Sequence, residues 1–423
     1  MLFIYRCLIN FLFPLIILII FFRKFFKKED KKRYKEKLFA TSFKVKKNIK
    51  NKLIWIHAAS IGEIKSISPI IQKLHKKNKY EFLITSVSLS SSKFIKSELA
   101  ENKNITHRFF PIDKLSLVKK FLDGWSPNLV IFVDSEIWPN FLLEINDRKI
   151  PLTLINARIT KKTFNRWTII SRFAKQIFNT FDLCLAASKE SKKYLEKLNA
   201  RNLKYVGNIK LSGIIKNQEN NDRNENFLKN KKFWCAASTH KGEEILCIKT
   251  HNNLKKKYQN LITVIIPRHI NRCKEIEEVC KKNNISAQIL EANGFINPKS
   301  EILIINSFGQ LPKYFKLTKS VFMGKSLLKS LELVGGQNPI EAALLGCKIY
   351  HGPYVYNFNE IYKLLNNYKI SEVIKNEKEL SKKLMNDLGK NKKKMKKMTS
   401  KIKKLGKKIL SMSLKEIIKI QKK

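Results

Sequence analysis

Glycine is scarce in this chain, at 14 of 423 residues, and acids are few, with 34 Asp and Glu against 85 Lys and Arg. No GxGxxG and no GxxxxGK[ST] occurs, so dinucleotide-binding and P-loop readings lack their motif. The seven cysteines are odd in number and never spaced CxxC. That excludes a disulfide framework or zinc ribbon and suits a reducing compartment. Cys273 and Cys280 lie seven apart with His269 nearby, a spacing that packing on one helix face explains better than metal ligation does. Arginine is also rare: it supplies 12 of the 85 cations, leaving 73 lysines. A surface shaped to grip phosphate bidentately would favour arginine. The formal charge of +51 therefore reads mainly as a solvated lysine coat. A membrane-tethered nucleic-acid binder is the other class that +51 suggests. It would need basic and aromatic residues on one face, whereas the aromatics here lie mostly in apolar segments.

What is present suffices for a sizeable core. The chain is 43% hydrophobic and 10% aromatic, which excludes a disordered basic tail, and its length suits two domains or one large one. Leu8 to Phe22 is almost wholly apolar, interrupted only by Asn10 and Pro14. Counted from Met1, the segment approaches the roughly 20 residues that a spanning helix needs. It is followed by FFRKFFKK at Phe21–Lys28 rather than by a small-residue cleavage site, so a signal peptide fits poorly. Nine Lys/Arg against three acids from Arg23 to Lys37 put the rest of the chain in the cytoplasm, beside anionic inner-membrane lipid. A spanning anchor and an interfacial one both fit.

Beyond the anchor, short apolar segments alternate with amphipathic helical ones. Strands are expected at Leu53–His57, Phe82–Ser86, Leu129–Asp134, Leu152–Asn156 and Leu183–Ala187. A second series is expected near Phe233–Ala237, Leu261–Pro267, Glu301–Ile305, Ser320–Met323 and Lys348–Tyr350. Near-continuous apolar strands separated by helices predict parallel sheets covered on both faces. The fold class is α/β, with two Rossmann-like domains facing a cleft and ligands at the strands' carboxyl ends. The expected divisions are an anchor at 1–25, an N-terminal domain at 26–215 and a polar linker at 216–230. A C-terminal domain follows at 231–390, then a basic amphipathic helix at 391–423. In that last segment Met395, Met398, Ile402, Leu405, Ile409 and Met412 recur at alternating spacings of 3 and 4. A helix docked on the body of the protein is the favoured reading, with membrane-surface attachment as the alternative.

Several strand-to-helix junctions carry polar residues. In His57-Ala-Ala-Ser-Ile-Gly-Glu63, Ser60 and Glu63 have capping-box spacing. Capping is the favoured reading on local spacing; a carboxylate at a strand's carboxyl end that reaches a substrate hydroxyl would instead act as a general base. In Asp134-Ser-Glu136-Ile-Trp-Pro139-Asn140, two acids bracket one residue. A capped helix start accounts for them, and a metal clamp would need more acids nearby. Gly207-Asn-Ile-Lys210 is a Gly-led turn beside the linker. Pro267-Arg268-His269 ends a strong strand with a scarce arginine whose fork suits phosphate or carboxylate. Ser307-Phe308-Gly309-Gln310 opens another turn. In Gly335-Gly336-Gln337-Asn338-Pro339-Ile340-Glu341, Asn338, Pro339 and Glu341 fit N-cap, N1 and N3 of a helix. Such a start suits a nucleotide phosphate, with Glu341 able to accept from ribose hydroxyls, or is simply a well-capped helix.

Together these segments resemble the 3-deoxy-D-manno-octulosonate (Kdo) transferase family of Gram-negative lipopolysaccharide assembly. HAASIGE at His57–Glu63, SEIWPN at Ser135–Asn140, NAR at Asn156–Arg158 and GNIK at Gly207–Lys210 carry the resemblance in the first half. STHKGEE at Ser238–Glu244, PRH at Pro267–His269, GGQNPIEAA at Gly335–Ala343 and GPYVYNF at Gly352–Phe358 carry it in the second. The resemblance implies an inverting, metal-independent GT-B glycosyltransferase with no cofactor. It would move Kdo from CMP-Kdo to the disaccharide of a tetra-acylated, bisphosphorylated lipid A precursor, with nucleic acid no partner. Carried over by position, Glu63 becomes the general base, and Glu136 and Lys210 match positions assigned to transition-state stabilisation. Pro267, Arg268, Phe308, Gly309, Gln310, Asn338, Pro339, Ile340 and Glu341 match the CMP-binding segments. An acid is usual where Gln310 stands and a glycine where Lys325 stands, while Ala237 replaces a common glycine. The nearer rival, a UDP-sugar-dependent lipid glycosyltransferase of the same fold, does not account for eight motifs in this order.

Overall fold

The structure, a computed structural model, describes residues 1–39, 51–75, 79–99, 104–213, 223–389 and 395–421. The chain divides into two compact units, Met1–Ile214 with Leu405–Lys423, and Ile215–Lys404. The first holds β1 (Lys52–His57), β2 (Tyr80–Ser86), β3 (Ile105–Phe109), β4 (Leu129–Val133), β5 (Leu152–Ala157), β6 (Leu183–Ala186) and β7 (Leu203–Tyr205). They form one parallel sheet in the order β3-β2-β1-β4-β5-β6-β7. The order reverses between β1 and β4, whose loops leave in opposite directions and open a crevice at their carboxyl ends. The core behind it is aromatic: Trp55 packs against Phe110, Phe121, Phe132 and Phe141, with ring centroids 4.9–6.2 Å away.

The second unit holds β8 (Lys232–Thr239), β9 (Leu261–Pro267), β10 (Ala287–Leu290), β11 (Ile302–Ile305), β12 (Ser320–Met323), β13 (Lys348–His351) and β14 (Ser371–Val373). This sheet is also parallel, in the order β10-β11-β9-β8-β12-β13-β14. Its switch point lies between β8 and β12. Both units are thus Rossmann-like, as the alternation of apolar segments predicts. Four strands escape the sequence reading: β3, β7, β10 and β14. They are the four sheet edges. Their sequences (ITHRF, LKY, AQIL, SEV) are mostly half-buried, so they lack the apolar run that marks a strand buried on both faces.

Of the expected linker, residues 216–222 lie outside the described residues, whereas Arg223–Lys229 is a helix with Leu228 buried. The C-terminal segment forms one helix, Met395–Gln421. Its docking is visible: Ile402, Ile409, Ile417 and Ile420 are buried. Gly406 lies so close to the body of the first unit that a Cβ there would stand 2.1 Å from the Leu211 carbonyl oxygen. Lys204 pairs with Glu416, and the Tyr80 hydroxyl donates to Gln421 Oε1 at 2.9 Å. Cys273 and Cys280 are buried core residues of one helix, as packing rather than ligation requires. Among the described residues one helix, Leu2–Phe25, is long and apolar enough to cross a membrane by length and composition.

Candidate active site

In the first unit, the residues after β1 and β4 meet those after β7. Glu63 stands in the first turn of the helix Ile61–His75, which starts shortly beyond β1. Its carboxylate accepts from the Ala59 amide and the Ser60 hydroxyl, each at 2.7 Å, and the Glu63 amide points at Ser60 Oγ at 3.4 Å. The Ser60/Glu63 pair therefore does close on itself, but around the Ala59 N–H and the Ser60 side chain rather than the Ser60 amide. Capping and availability as a base are compatible, because the second oxygen is held by an exposed serine hydroxyl that can swing away. Burial pushes the Glu63 carboxyl above its usual value. The charges of Asp134 and Glu136 push the same way, against the hydrogen bonds from Ser60 and Ala59. A carboxylate raised in this manner is a better proton acceptor near neutrality.

Glu136 is tuned the opposite way. Its Oε2 accepts from Trp138 Nε1 at 2.8 Å and lies 3.3 Å from His57 Nε2. His57 is completely buried, stacked on Phe110 with centroids 3.8 Å apart, and burial holds it below its ordinary pKa. Thr85 Oγ1 accepts from Trp55 Nε1 at 2.9 Å and lies 3.0 Å from His57 Nδ1. Nδ1 also lies 3.3 Å from the Thr85 carbonyl oxygen, so the imidazole is held from both the side chain and the backbone of Thr85, with Nε2 facing Glu136. Burial raises the Glu136 carboxyl, but the bonds from His57 and Trp138 outweigh it, and the net shift is downward. Two neighbouring carboxylates thus diverge: Glu63 is prepared to take a proton and Glu136 to stay ionised.

Lys210 completes the group. Its Nζ lies 2.8 Å from Asp134 Oδ2. Asp134 adopts a left-handed conformation, with φ +65°, at the end of β4. The turn carrying Lys210 is held by Asn156, whose Oδ1 accepts from the Ile209 amide at 3.0 Å, and by Asn208 Oδ1 on the Lys210 amide. That explains why the NAR and GNIK segments belong together, which their separation in sequence conceals. Asn140 serves the scaffold instead. It is fully buried, and its amide donates to the Asp113 carboxylate at 3.0 Å.

The second unit collects the other nine residues at strand ends. Pro267 closes β9 and is buried; Arg268 follows it with an exposed side chain. Phe308, exposed, and Gly309, with φ +80°, lie in the turn after β11, and Gln310 flanks the helix Leu311–Leu317. Strands β9 and β11 are neighbours, so these two segments share one edge of the crevice. Asn338 to Glu341 enter the helix Ile340–Leu344. Its regular turns begin at Ile340 with Pro339 as the flank, and Asn338 Oδ1 accepts from the Ile340 amide at 3.1 Å, the bond expected of Asn338 as N-cap. The Gly335-Gly336 approach is pinned by the Gly336 amide donating to the Lys325 carbonyl at 2.6 Å. Glu341 remains in the first turn.

Three residues that the sequence places in motifs, without giving them individual roles, are prominent here. Glu243 is buried at the start of the helix Glu243–Lys255 and accepts four backbone N–H bonds. They come from His240 (3.0 Å), Lys325 (2.6 Å), Ser326 (2.9 Å) and Leu327 (3.1 Å). It ties the loop after β8 to the loop after β12 across the switch point. His240 and His269, from the ends of β8 and β9, bring their rings to 5.8 Å, centroid to centroid, beside Arg268. Only the acid pair Glu243-Glu244 within STHKGEE hinted at such a role. Lys325 has φ +58°, which accounts for the glycine usual at that position.

Comparison with known proteins decides between the remaining readings. Residues 32–212 match the family described as 3-deoxy-D-manno-octulosonic-acid transferase (kdotransferase). The 3-deoxy-D-manno-octulosonic acid transferase of Rickettsia felis is 33% identical over 335 residues, covering 78% of this chain and 70% of that one. That of Rickettsia bellii is 32% identical over 374 residues, 87% and 86% of the two chains. The chain belongs to the Kdo transferase family. At the level of fold alone, a UDP-GlcNAc 2-epimerase of Neisseria meningitidis, solved with UDP-GlcNAc, is similar with a TM-score of 0.57 and 14% identity. That match covers 86% of this chain and all of the other. The Kdo transferase scaffold is thus GT-B in kind, and its motifs sit at the switch points of both Rossmann-like units.

Proposed function

We propose that this Kdo transferase moves Kdo from CMP-Kdo to the disaccharide of a tetra-acylated, bisphosphorylated lipid A precursor, with inversion at the sugar's anomeric carbon and without a metal. The observation that carries the reading is the set of groups at one switch point: Glu63 held by the Ala59 amide and Ser60 hydroxyl, Glu136 held by Trp138 and beside His57, and Lys210 bound to Asp134. In this mechanism Glu63 takes the proton from the acceptor hydroxyl as that oxygen attacks the anomeric carbon. Glu136 stays anionic beside the oxocarbenium-like sugar, and Lys210, held by Asp134, offers its ammonium to the sugar carboxylate. The leaving group is CMP, a phosphate monoester anion, whose departure the Arg268 guanidinium eases by stabilising negative charge, while the Asn338–Glu341 segment holds the nucleotide. Phe308, Gly309 and Gln310 line the nucleotide. Residues 26–215 handle the acceptor and 231–390 the donor, on the cytoplasmic face of the inner membrane, where the anchor and the basic Arg23–Lys37 segment meet anionic lipid.

Incubating the purified protein with CMP-Kdo and the lipid A precursor, then reading product mass, tests the reaction and counts the Kdo units added. An unchanged precursor mass would overturn the donor and acceptor assignment. Turnover is also expected to survive excess EDTA at full rate. Among the described residues no three His, Cys, Asp or Glu side chains are grouped to hold a metal, and Asp134 is committed to Lys210. Loss of activity in EDTA with recovery on adding Mg²⁺ would instead assign Asp134 and Glu136 to a metal clamp.

A further inference from the structure

The apolar helix Leu2–Phe25 is two-faced once its contacts are considered. One stripe touches the first unit at several points. Leu2 packs on the aromatic core, Tyr5 and Arg6 make polar contacts, Phe13 lies under Lys114 Nζ at 4.1 Å, and Ile20 is buried. These positions recur at spacings of 3, 4 and 7, so they share a helix face. Phe3, Leu8, Phe11, Leu15, Phe22 and Phe25 are exposed away from it. At the far end Arg23 pairs with Glu29 at 2.8 Å, and Glu29 binds Lys37 at 2.6 Å, whose Nζ also donates to the Val87 carbonyl.

The N-terminal end therefore touches the globular unit directly through Tyr5 and Arg6, and the far end is tied to it through the relay Arg23–Glu29–Lys37–Val87. From Tyr5 to Arg23 the axis runs about 27 Å, close to the ~30 Å hydrocarbon thickness of a bilayer. Were the helix to cross, Tyr5 and Arg23 would lie on opposite sides of the membrane and could not both be tied to that unit. The acids of the adjoining segment are taken up locally: Glu29 by Arg23 and Lys37, Glu36 by Arg33, and Asp30 by the Lys32 and Arg33 amides. Lys27, Lys28, Lys31, Lys32 and Lys35 stay exposed, a cationic rim continuous with the apolar stripe. An apolar face bordered by lysines matches the acyl–headgroup boundary of an anionic leaflet.

The inward stripe also reaches the catalytic segment. The Tyr5 hydroxyl donates to Asp113 Oδ2 at 2.6 Å, and Arg6 Nε donates to Asn140 Oδ1 at 3.0 Å. Asp113, buried, accepts from the amides of Asn140 and Phe141, each at 3.0 Å, and so caps the helix Pro139–Asp147. That helix begins directly after Glu136-Ile-Trp138. Orientation of the Trp138 indole, and of the Glu136 carboxylate bonded to it, depends on where this helix starts.

We propose that the helix Leu2–Phe25 lies in the plane of the membrane rather than across it, with its outer stripe in the lipid of an anionic leaflet. Its Tyr5 and Arg6 act as positioning residues for the segment that carries Glu136. The inference rests on the membrane-associated Kdo transferase reading above, and its first test does not depend on turnover. Full-length protein carrying a cleavable N-terminal tag is exposed to protease in intact spheroplasts and in inside-out vesicles. Protection in spheroplasts with cleavage in inside-out vesicles is expected; cleavage in intact spheroplasts would overturn the in-plane arrangement. In detergent with CMP-Kdo and acceptor, Tyr5→Phe and Arg6→Ala should each lower kcat about 10-fold while leaving the KM for CMP-Kdo and the melting temperature near wild type. Arg6→Lys, which restores a donor, should recover most of the rate. Unchanged kcat in the first two variants, or no recovery in the third, would overturn the positioning role. A wild type inert towards CMP-Kdo would count against the functional reading, and the protection pattern would still decide the topology.

Discussion

Glu63→Ala is expected to abolish transfer, with kcat falling by about 10²–10⁴-fold as for loss of a general base, in a protein that still folds and binds CMP. The carboxylate is held by the Ala59 amide and the Ser60 hydroxyl, at the edge of the first unit's crevice. Its removal costs about 1 kcal/mol of helix capping, too little to unfold a domain. A pH profile separates the chemical role from the structural one. The base must be ionised to work, so its raised pKa places the acid limb of kcat/KM above the ordinary glutamate value. Asp134→Asn removes one of the charges that raise it, and the limb should move to lower pH. Near-normal turnover in Glu63→Ala would remove Glu63 from the chemistry. An acid limb unmoved by Asp134→Asn would show that another group titrates.

The second large effect is on stability. Glu243→Ala should destabilise the C-terminal unit by about 3–5 kcal/mol and abolish CMP binding with it, because an unsatisfied buried donor costs about 1–3 kcal/mol, relieved in part where water can enter. The Glu243 carboxylate satisfies the amides of His240, Lys325, Ser326 and Leu327, and its removal strands all of these donors. The loop after β12 has no slack to adjust. A Cβ at Gly352 would stand 2.1 Å from the Ser326 carbonyl oxygen, so this loop is pressed against the one after β13. Glu243→Gln keeps one accepting oxygen but turns an NH₂ group toward backbone donors, and should fall between wild type and alanine. Urea unfolding of the full-length variants, followed by tryptophan fluorescence and by CMP titration, measures both effects. An alanine variant as stable as wild type, with wild-type CMP affinity, would contradict the bridging role.

Much of the fold is legible in the sequence because central parallel strands are buried on both faces. Leu129–Val133 and Leu152–Ala157 are wholly buried, and so their apolar runs stand out. The edge strands escape for the converse reason: Leu203–Tyr205 has one neighbour and a solvated side, and its three residues carry no periodic signal. The same contrast governs the site. Glu63 and Glu136 are visible as acids at strand-to-helix junctions, but their opposite tuning depends on His57 reaching Glu136 and on Asp134 and Glu136 reaching Glu63 across the sheet. Glu243 looks like an ordinary first-turn acid until the loop after β12 is seen resting on it. The apolar N-terminal segment shows no polar face in sequence, since a tyrosine and an arginine that bind the protein body are indistinguishable there from interfacial anchors.

By itself the sequence determined the class of molecule: two Rossmann-like units, an apolar N-terminal helix, and eight ordered motifs naming a Kdo transferase. The first two follow from composition, periodicity and local spacing, which act over a few residues; the third is a resemblance to a known family carried by those motifs. Only the tertiary structure decided which carboxylate is raised and which is lowered, why Asn156 and Lys210 belong to one turn, and which face of the first helix remains uncovered. Each of those depends on groups far apart in the chain, and on burial that no residue has until the chain has folded around it.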